Sequence, residues 1–189
     1  MTLLHAAQSG QHPHAVRGAE LYETPACATE ALLRVERLDH WVWEPCAGRG
    51  AIATVLRDHG YAVVASDLIR YDGFDLHFTA DFLAQTKAPT DCMSVVTNPP
   101  FRLINEFIAH ALGLVSRVIV LARLALLESE RRASLFDGGH LTRVHVFRRR
   151  LPMLHREGWA GPRATSAICF AWFVFYAQPT VQAPTIGWI

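Results

Sequence analysis

The chain has 189 residues, 51% of them hydrophobic and 19% charged, with a formal net charge of +1. That balance excludes a disordered or charge-driven tail and supplies apolar material for the core of about one domain. The longest apolar runs, Val118–Ala122 and the stretch from Ala167 to Tyr176, fall far short of the roughly 20 residues that a membrane-spanning helix needs.

Residues 1–20 carry Gln, His, Ser, Gly and Pro without period and are expected to form a flexible arm, leaving 21–189 as a single domain. No basic and then apolar leader is visible, and Cys27, Cys46, Cys92 and Cys169 form no Cys-x-x-Cys pair. A cytoplasmic protein with reduced thiols, no metal and no membrane association is therefore expected. Thr24 is positioned as an N-cap and Pro25 as the first residue of a helix whose apolar face is Ala28, Leu32, Leu33 and Val35. Trp41–Trp43 predicts a buried strand stopping at Glu44-Pro45, and Ala51–Arg57 a helix closed by Gly60. Tyr61–Ala65 predicts the next strand, ending at Ser66-Asp67, and a short strand is expected around His77–Ala80.

Met93–Thr97 predicts a strand running into Asn98-Pro99-Pro100-Phe101, then a helix over Phe101–Leu112 with Gly113 as its stop. Arg117–Leu121 predicts a strand, Leu126–Phe136 a helix, Val144–Phe147 a strand and Ala167–Tyr176 a last strand of strong β-formers. Strands alternating with helices predict a three-layer α/β fold. Its seven-stranded sheet is mostly parallel, with one antiparallel strand near the C-terminus because no helix separates the final two strands.

In such a sheet, ligands bind outside the carboxyl ends of the strands. Glu44-Pro45-Cys46-Ala47-Gly48-Arg49-Gly50 leaves one such end, and its glycines permit a sharp turn and close approach of a ligand. Asp67 follows at the next strand tip, where a carboxylate can accept both hydroxyls of a ribose. The loop also scans as Gly-x-Gly-x-x-Ala with an acid downstream, so a turn without function, a dinucleotide site and a nucleoside site all share this pattern. Glu44 weighs against a pyrophosphate, which it would repel, and for a cationic amino group.

The second loop is more informative. Two prolines after a strand cannot donate, so the Asn98 amide oxygen and the Pro99 carbonyl are acceptors for the hydrogens of a planar NH₂, with Phe101 to stack on its plane. The alternative is a stiff strand-to-helix turn capped by Asn98. Its place at a strand's carboxyl end, one β–α unit beyond the glycine loop, favours the site.

Together these residues resemble class I S-adenosylmethionine-dependent amino-methyltransferases with an Asn-Pro-Pro-aromatic loop, in particular the adenine-specific DNA branch. Glu44–Gly50 matches the glycine-rich motif, Asp67 the acidic strand tip, Asn98–Phe101 the catalytic loop, Tyr22-Glu23-Thr24-Pro25 the segment before the first strand, and Asp81-Phe82 the pair near the cofactor adenine. The matches cover Tyr22–Phe101, about half of the chain. The resemblance implies a Rossmann-like methyltransferase fold and S-adenosylmethionine as cofactor. It places the cofactor against Tyr22, Thr24, Pro25, Glu44, Cys46, Ala47, Gly48, Gly50, Asp67, Leu68, Asp81 and Phe82. Asn98, Pro99, Pro100 and Phe101 would hold the amine.

Other features bear on the substrate. Residues 1–100 hold 7 basic and 12 acidic side chains, whereas 101–189 hold 11 and 5, all of those 11 being arginine. Arg148, Arg149, Arg150, His155, Arg156 and Trp159 fall in one loop expected to overhang the cleft, where guanidinium groups position phosphates and aromatics stack bases. A nucleic acid is thus the expected partner, DNA before RNA, and duplex DNA would require the base to be flipped out. No room remains for a separate target-recognition domain, which keeps an RNA base and a protein glutamine amide open, alongside a non-enzymatic nucleotide-binding module. Ten histidines show no metal-ligand spacing beside a carboxylate, and Cys46 reads as a small turn residue, with no nearby His to activate it.

Overall fold

The computed structural model describes residues 22–128, 130–155 and 168–189; the expected arm, and the expectations for Arg156 and Trp159, lie outside them. Along the chain run β1 (Tyr22–Glu23), α1 (Ala26–Val35), β2 (Trp41–Glu44), α2 (Ala51–Asp58), β3 (Ala62–Asp67), β4 (Phe78–Thr79) and β5 (Ser94–Thr97). There follow α3 (Ile104–Leu114), β6 (Arg117–Arg123), α4 (Ala133–Asp137), β7 (Leu141–Val146), β8 (Leu154–His155), β9 (Phe170–Tyr176) and β10 (Thr185–Trp188).

The main sheet has eight strands in the order β10-β7-β9-β6-β5-β2-β3-β4. Only β9 is reversed: it pairs antiparallel with β6 and β7, and all other pairs are parallel. The sequence pattern predicts that reversed strand, but seven strands in all. The eighth is β10, whose Thr-Ile-Gly-Trp carries no alternation and joins the sheet only through β7.

Alternation along the strands builds two cores. Val118, Val120, Ala122, Phe173 and Phe175 face α3 and α4, whereas Ile119, Leu121, Trp172 and Val174 face α1 and α2. Phe173, Phe175 and Trp172 are fully buried, each stabilising the fold by about 1.5–3 kcal/mol, and the Trp172 indole donates to the Ala28 carbonyl at 2.8 Å to fasten α1. At the C-terminal end of α1, Glu36 receives Arg143 Nε at 2.5 Å and Nη2 at 3.0 Å, and contacts His145 Nε2 at 2.8 Å. Burial alone would raise the Glu36 carboxyl, but hydrogen bonds from His145 and Arg143 outweigh it and hold the carboxyl at about 2.

Several local expectations shift. Helix α1 begins at Ala26 with Pro25, in extended conformation, as the N-cap, so Thr24 is not the cap. Val35 is 44% exposed, not on the core face. Helix α3 runs past Gly113 to Leu114. The expected helix over 126–136 is instead two 3₁₀ turns, Leu124–Leu127 and Glu130–Arg132, followed by the short α4. Arg132 Nη1 donates to the carbonyls of Ala125 (2.7 Å) and Glu128 (3.0 Å), taking both acceptors away from a continuous helical ladder.

Candidate active site

Strands β2, β3 and β4 run outward on one side and β5 and β6 on the other, so the crevice at the switch point opens beyond the carboxyl ends of β2 and β5. A cleft of about 260 Å³ lies there, walled by Tyr22–Thr24, Glu44–Arg49, Asp67–Ile69, Tyr71, Asp81–Leu83, Asn98, Pro100, Leu103 and Phe107, among others. Most of these walls derive from a strand end or the segment beside it, and Phe107 comes from α3.

Glu44 ends β2 and is 1% exposed. Its Oε2 has no partner. Burial pushes its carboxyl well above the ordinary carboxylate range, with a backbone N–H bond from Ala53 pulling back and the nearby Asp67 charge raising it further. A buried acceptor left unmatched is costly, and an arriving ammonium group would satisfy it. Asp67 ends β3 and uses both oxygens on the backbone: Gly48 N donates to Oδ2 at 2.8 Å and Ile69 N to Oδ1 at 3.0 Å. Each oxygen keeps a second lone pair toward the cleft for a hydroxyl. Leu68 and Ile69 are 64% and 40% exposed, leaving an apolar lip beside that carboxylate.

Asn98 follows β5. Its Nδ2 donates to the Tyr22 carbonyl at 3.1 Å and to Thr24 Oγ1 at 3.2 Å. A carbonyl only accepts, so the NH₂ end must face Tyr22 and the amide cannot flip. The buried Oδ1 is left without a partner. Asn98 caps no helix: Pro100 caps the 3₁₀ turn Phe101–Leu103, and α3 starts after it. Instead of capping a helix, the side chain ties the loop to the segment before α1.

Of the residues singled out in the sequence, the cleft gathers Tyr22, Thr24, Glu44, Cys46, Ala47, Gly48, Asp67, Leu68, Asp81, Phe82, Asn98 and Pro100. Pro25, Gly50, Pro99 and Phe101 are not among its walls, each for a local reason. Pro25 caps α1. Gly50 has φ of +78°, and an added Cβ would lie 2.1 Å from the Phe74 ring, so the ring rather than a ligand occupies the space beside it. Pro99 is buried. Phe101 packs on Tyr22 (ring centroids 5.6 Å apart) and Phe170 (6.0 Å), and the Arg123 guanidinium lies over its ring at 4.6 Å.

Asp81 Oδ1 accepts from Leu83 N at 2.9 Å, capping a short turn, and its other oxygen is uncommitted by that bond. Phe82 stacks on Phe107 (4.9 Å) and meets Trp43 edge-on (5.1 Å), so it serves the core as well as the cleft. Burial, with the Asp67 charge, pushes the Cys46 thiol well up, leaving a poor nucleophile. Tyr71 and Leu103 also line the cleft. Neither belongs to a motif, and neither is marked by the sequence. Burial and the Asp67 charge raise the Tyr71 phenol.

Arg148–Arg150 are exposed and follow the end of β7, at the same edge of the sheet as the cleft. They lie in a bend, so strand-like alternation of their side chains does not hold. The segment continues into β8, whose His155 pairs with Tyr22 and Leu154 with Glu23, both cleft residues. The arginine loop is thereby tied to the cleft wall.

No protein-family model and no curated protein matches the sequence. Solved structures do. A provisionally designated RNA methyltransferase from Pyrococcus horikoshii superposes with a TM-score of 0.60 at 17% identity, over 83% of this chain and 87% of the other. A TehB-like S-adenosylmethionine-dependent methyltransferase from Corynebacterium glutamicum gives 0.52 at 13%, over 80% and 87%. The modification subunit of a provisionally designated type I restriction enzyme from Vibrio vulnificus gives 0.56 at 13%, over 85% of this chain and 45% of that one. The chain has the α/β Rossmann-like methyltransferase fold.

Proposed function

We propose that this chain is an S-adenosylmethionine-dependent methyltransferase acting on an exocyclic amine, that of adenine in nucleic acid, with DNA favoured over RNA. The observation that carries this reading is the unpartnered Asn98 Oδ1, fixed as an acceptor by the two bonds of its own NH₂. The residues present fit the cofactor. Unmatched Glu44 Oε2 suits its ammonium, the spare lone pairs of Asp67 its ribose hydroxyls, the exposed Leu68 its adenine, and the free oxygen of Asp81 the adenine amine. Tyr22, Thr24, Cys46, Ala47, Gly48 and Phe82 shape the surrounding wall. Bound there, S-adenosylmethionine supplies a methyl group activated by its sulfonium charge.

The protein's own part is positioning. An amine conjugated to a ring is a weak nucleophile because its lone pair is delocalised. By accepting one amine hydrogen, Asn98 favours a pyramidal nitrogen whose lone pair points into the cleft. A preorganised acceptor of this kind acts through proximity and electrostatics and needs no strong base. The arginine-rich second half and the exposed Arg148–Arg150 support a polyanionic substrate. The test is transfer of tritium from labelled S-adenosylmethionine into DNA, RNA and glutamine-containing protein. Label in adenine N-methyl groups is expected, and label confined to protein would replace this reading with the glutamine amide.

A further inference from the structure

Phe101 is the aromatic expected to stack on the substrate, yet its ring is already engaged. Tyr22 and Phe170 pack around it, and the Arg123 guanidinium lies 4.6 Å over it. Arg123 is the last residue of β6, next to β5 in the sheet and at the same carboxyl edge as Asn98. It is exposed, whereas all six residues before it on β6 are buried. Its backbone pairs with Phe170 in the sheet, but its guanidinium makes no hydrogen bond or ion pair with any described residue. An arginine resting over an aromatic ring has surrendered part of its side-chain freedom but none of its five donors. It offers a planar fork of donors at the sheet edge that also carries the acceptor that would hold the amine.

We propose that Arg123, set over Phe101 at the carboxyl edge of the sheet, grips the phosphodiester next to the target base and so selects a base on a phosphate backbone over an uncharged amide. This rests on the methyl-transfer reading above and adds a specificity-determining residue to it. A guanidinium offers paired donors that match two phosphate oxygens, whereas a glutamine side chain has no charge to meet. Phe101 then acts from beneath, as a platform that keeps the cation in place.

The test compares wild type with Arg123→Met and Arg123→Lys. Binding is followed by fluorescence anisotropy on a short adenine-containing oligonucleotide, as DNA and as RNA, over a salt series, and tritium transfer is followed on the same strands. Melting temperature and S-adenosylhomocysteine binding report that each variant is folded. Arg123→Met should raise KM for either strand about tenfold, equivalent to about 1.4 kcal/mol, with a much smaller change in kcat. It should also flatten the salt slope by about one phosphate, roughly 0.7 on a single strand. Arg123→Lys should recover most of the slope and only part of the affinity. A folded Arg123→Met with wild-type slope and KM would overturn the proposal and leave methyl transfer to nucleic acid standing. So would a variant that loses kcat alone, because the residue would then act only through the position of Phe101. Wild type that labels peptide glutamine and no oligonucleotide would overturn both.

Discussion

Removing the Asn98 acceptor tests the proposed chemistry most directly. Asn98→Ala deletes Oδ1 and also strips the Tyr22 carbonyl and the Thr24 hydroxyl of their shared donor. Loss of one preorganised polar group at a reacting centre costs about 10²–10³ in kcat, or roughly 3–4 kcal/mol. The two lost bonds should add a stability loss of about 1 kcal/mol each. Asn98→Asp is more discriminating. An ionised aspartate would set an acceptor against the Tyr22 carbonyl, where Nδ2 now sits at 3.1 Å. Only the protonated acid reproduces the native pattern, with an O–H donated to Tyr22 and a carbonyl left in the cleft. Its activity should therefore rise as pH falls, against the wild-type profile. Single-turnover transfer of tritium across a pH series, with S-adenosylhomocysteine affinity as the control, measures both effects. Asn98→Ala turning over within tenfold of wild type would refute the role of Oδ1, and a pH-flat Asn98→Asp would refute the orientation.

At Asp67, substitution by Asn should weaken cofactor binding by about 1.5–3 kcal/mol, read by calorimetry, because one oxygen that accepts from Gly48 or Ile69 becomes a donor. Glu36, held at about 2 against an ordinary 4.5, should contribute about 2–3 kcal/mol of stability that is complete above its unfolded value and is lost as pH falls toward 2. Urea denaturation from neutral to acid pH should show that loss in wild type, and Glu36→Gln should flatten it; identical pH profiles would remove the clamp. Gly50→Ala places a Cβ at positive φ against the Phe74 ring and should cost about 2–4 kcal/mol. Adding Phe74→Ala should restore part of the melting temperature, and no recovery would mean that the backbone alone is responsible.

The residues legible in the sequence are those whose position and chemistry are fixed together. Glu44, Asp67 and Asn98 each sit at a strand's carboxyl end, where the chain turns and a polar side chain must face the crevice. Residues whose direction is set by distant segments were not legible. Phe101 packs on Tyr22 and Phe170, far away in the chain, contacts that its neighbours in sequence do not reveal. Thr24 looked like a helix cap because its type and its place before Pro25 fit one, but the hydroxyl is drawn to Asn98 instead. Strand β10 is defined by its pairing with β7 rather than by its composition, with Pro184 just before it and Gly187 inside it.

The reversed strand has a consequence for how the molecule is made. Strand β7 is synthesised before β9, yet among the described residues its partners in the sheet are β9 and β10 alone. Until Phe170–Tyr176 has left the ribosome, β7 has nowhere to dock, and β6 carries an open apolar edge in place of the partner that will cover it. Closing that gap joins segments far apart in sequence, which is slow in folding and exposes the nascent chain to sticking. Any chain cut short of β9 forfeits three strands of the sheet at once, since β7 reaches β6 only through β9, and β10 reaches the sheet only through β7.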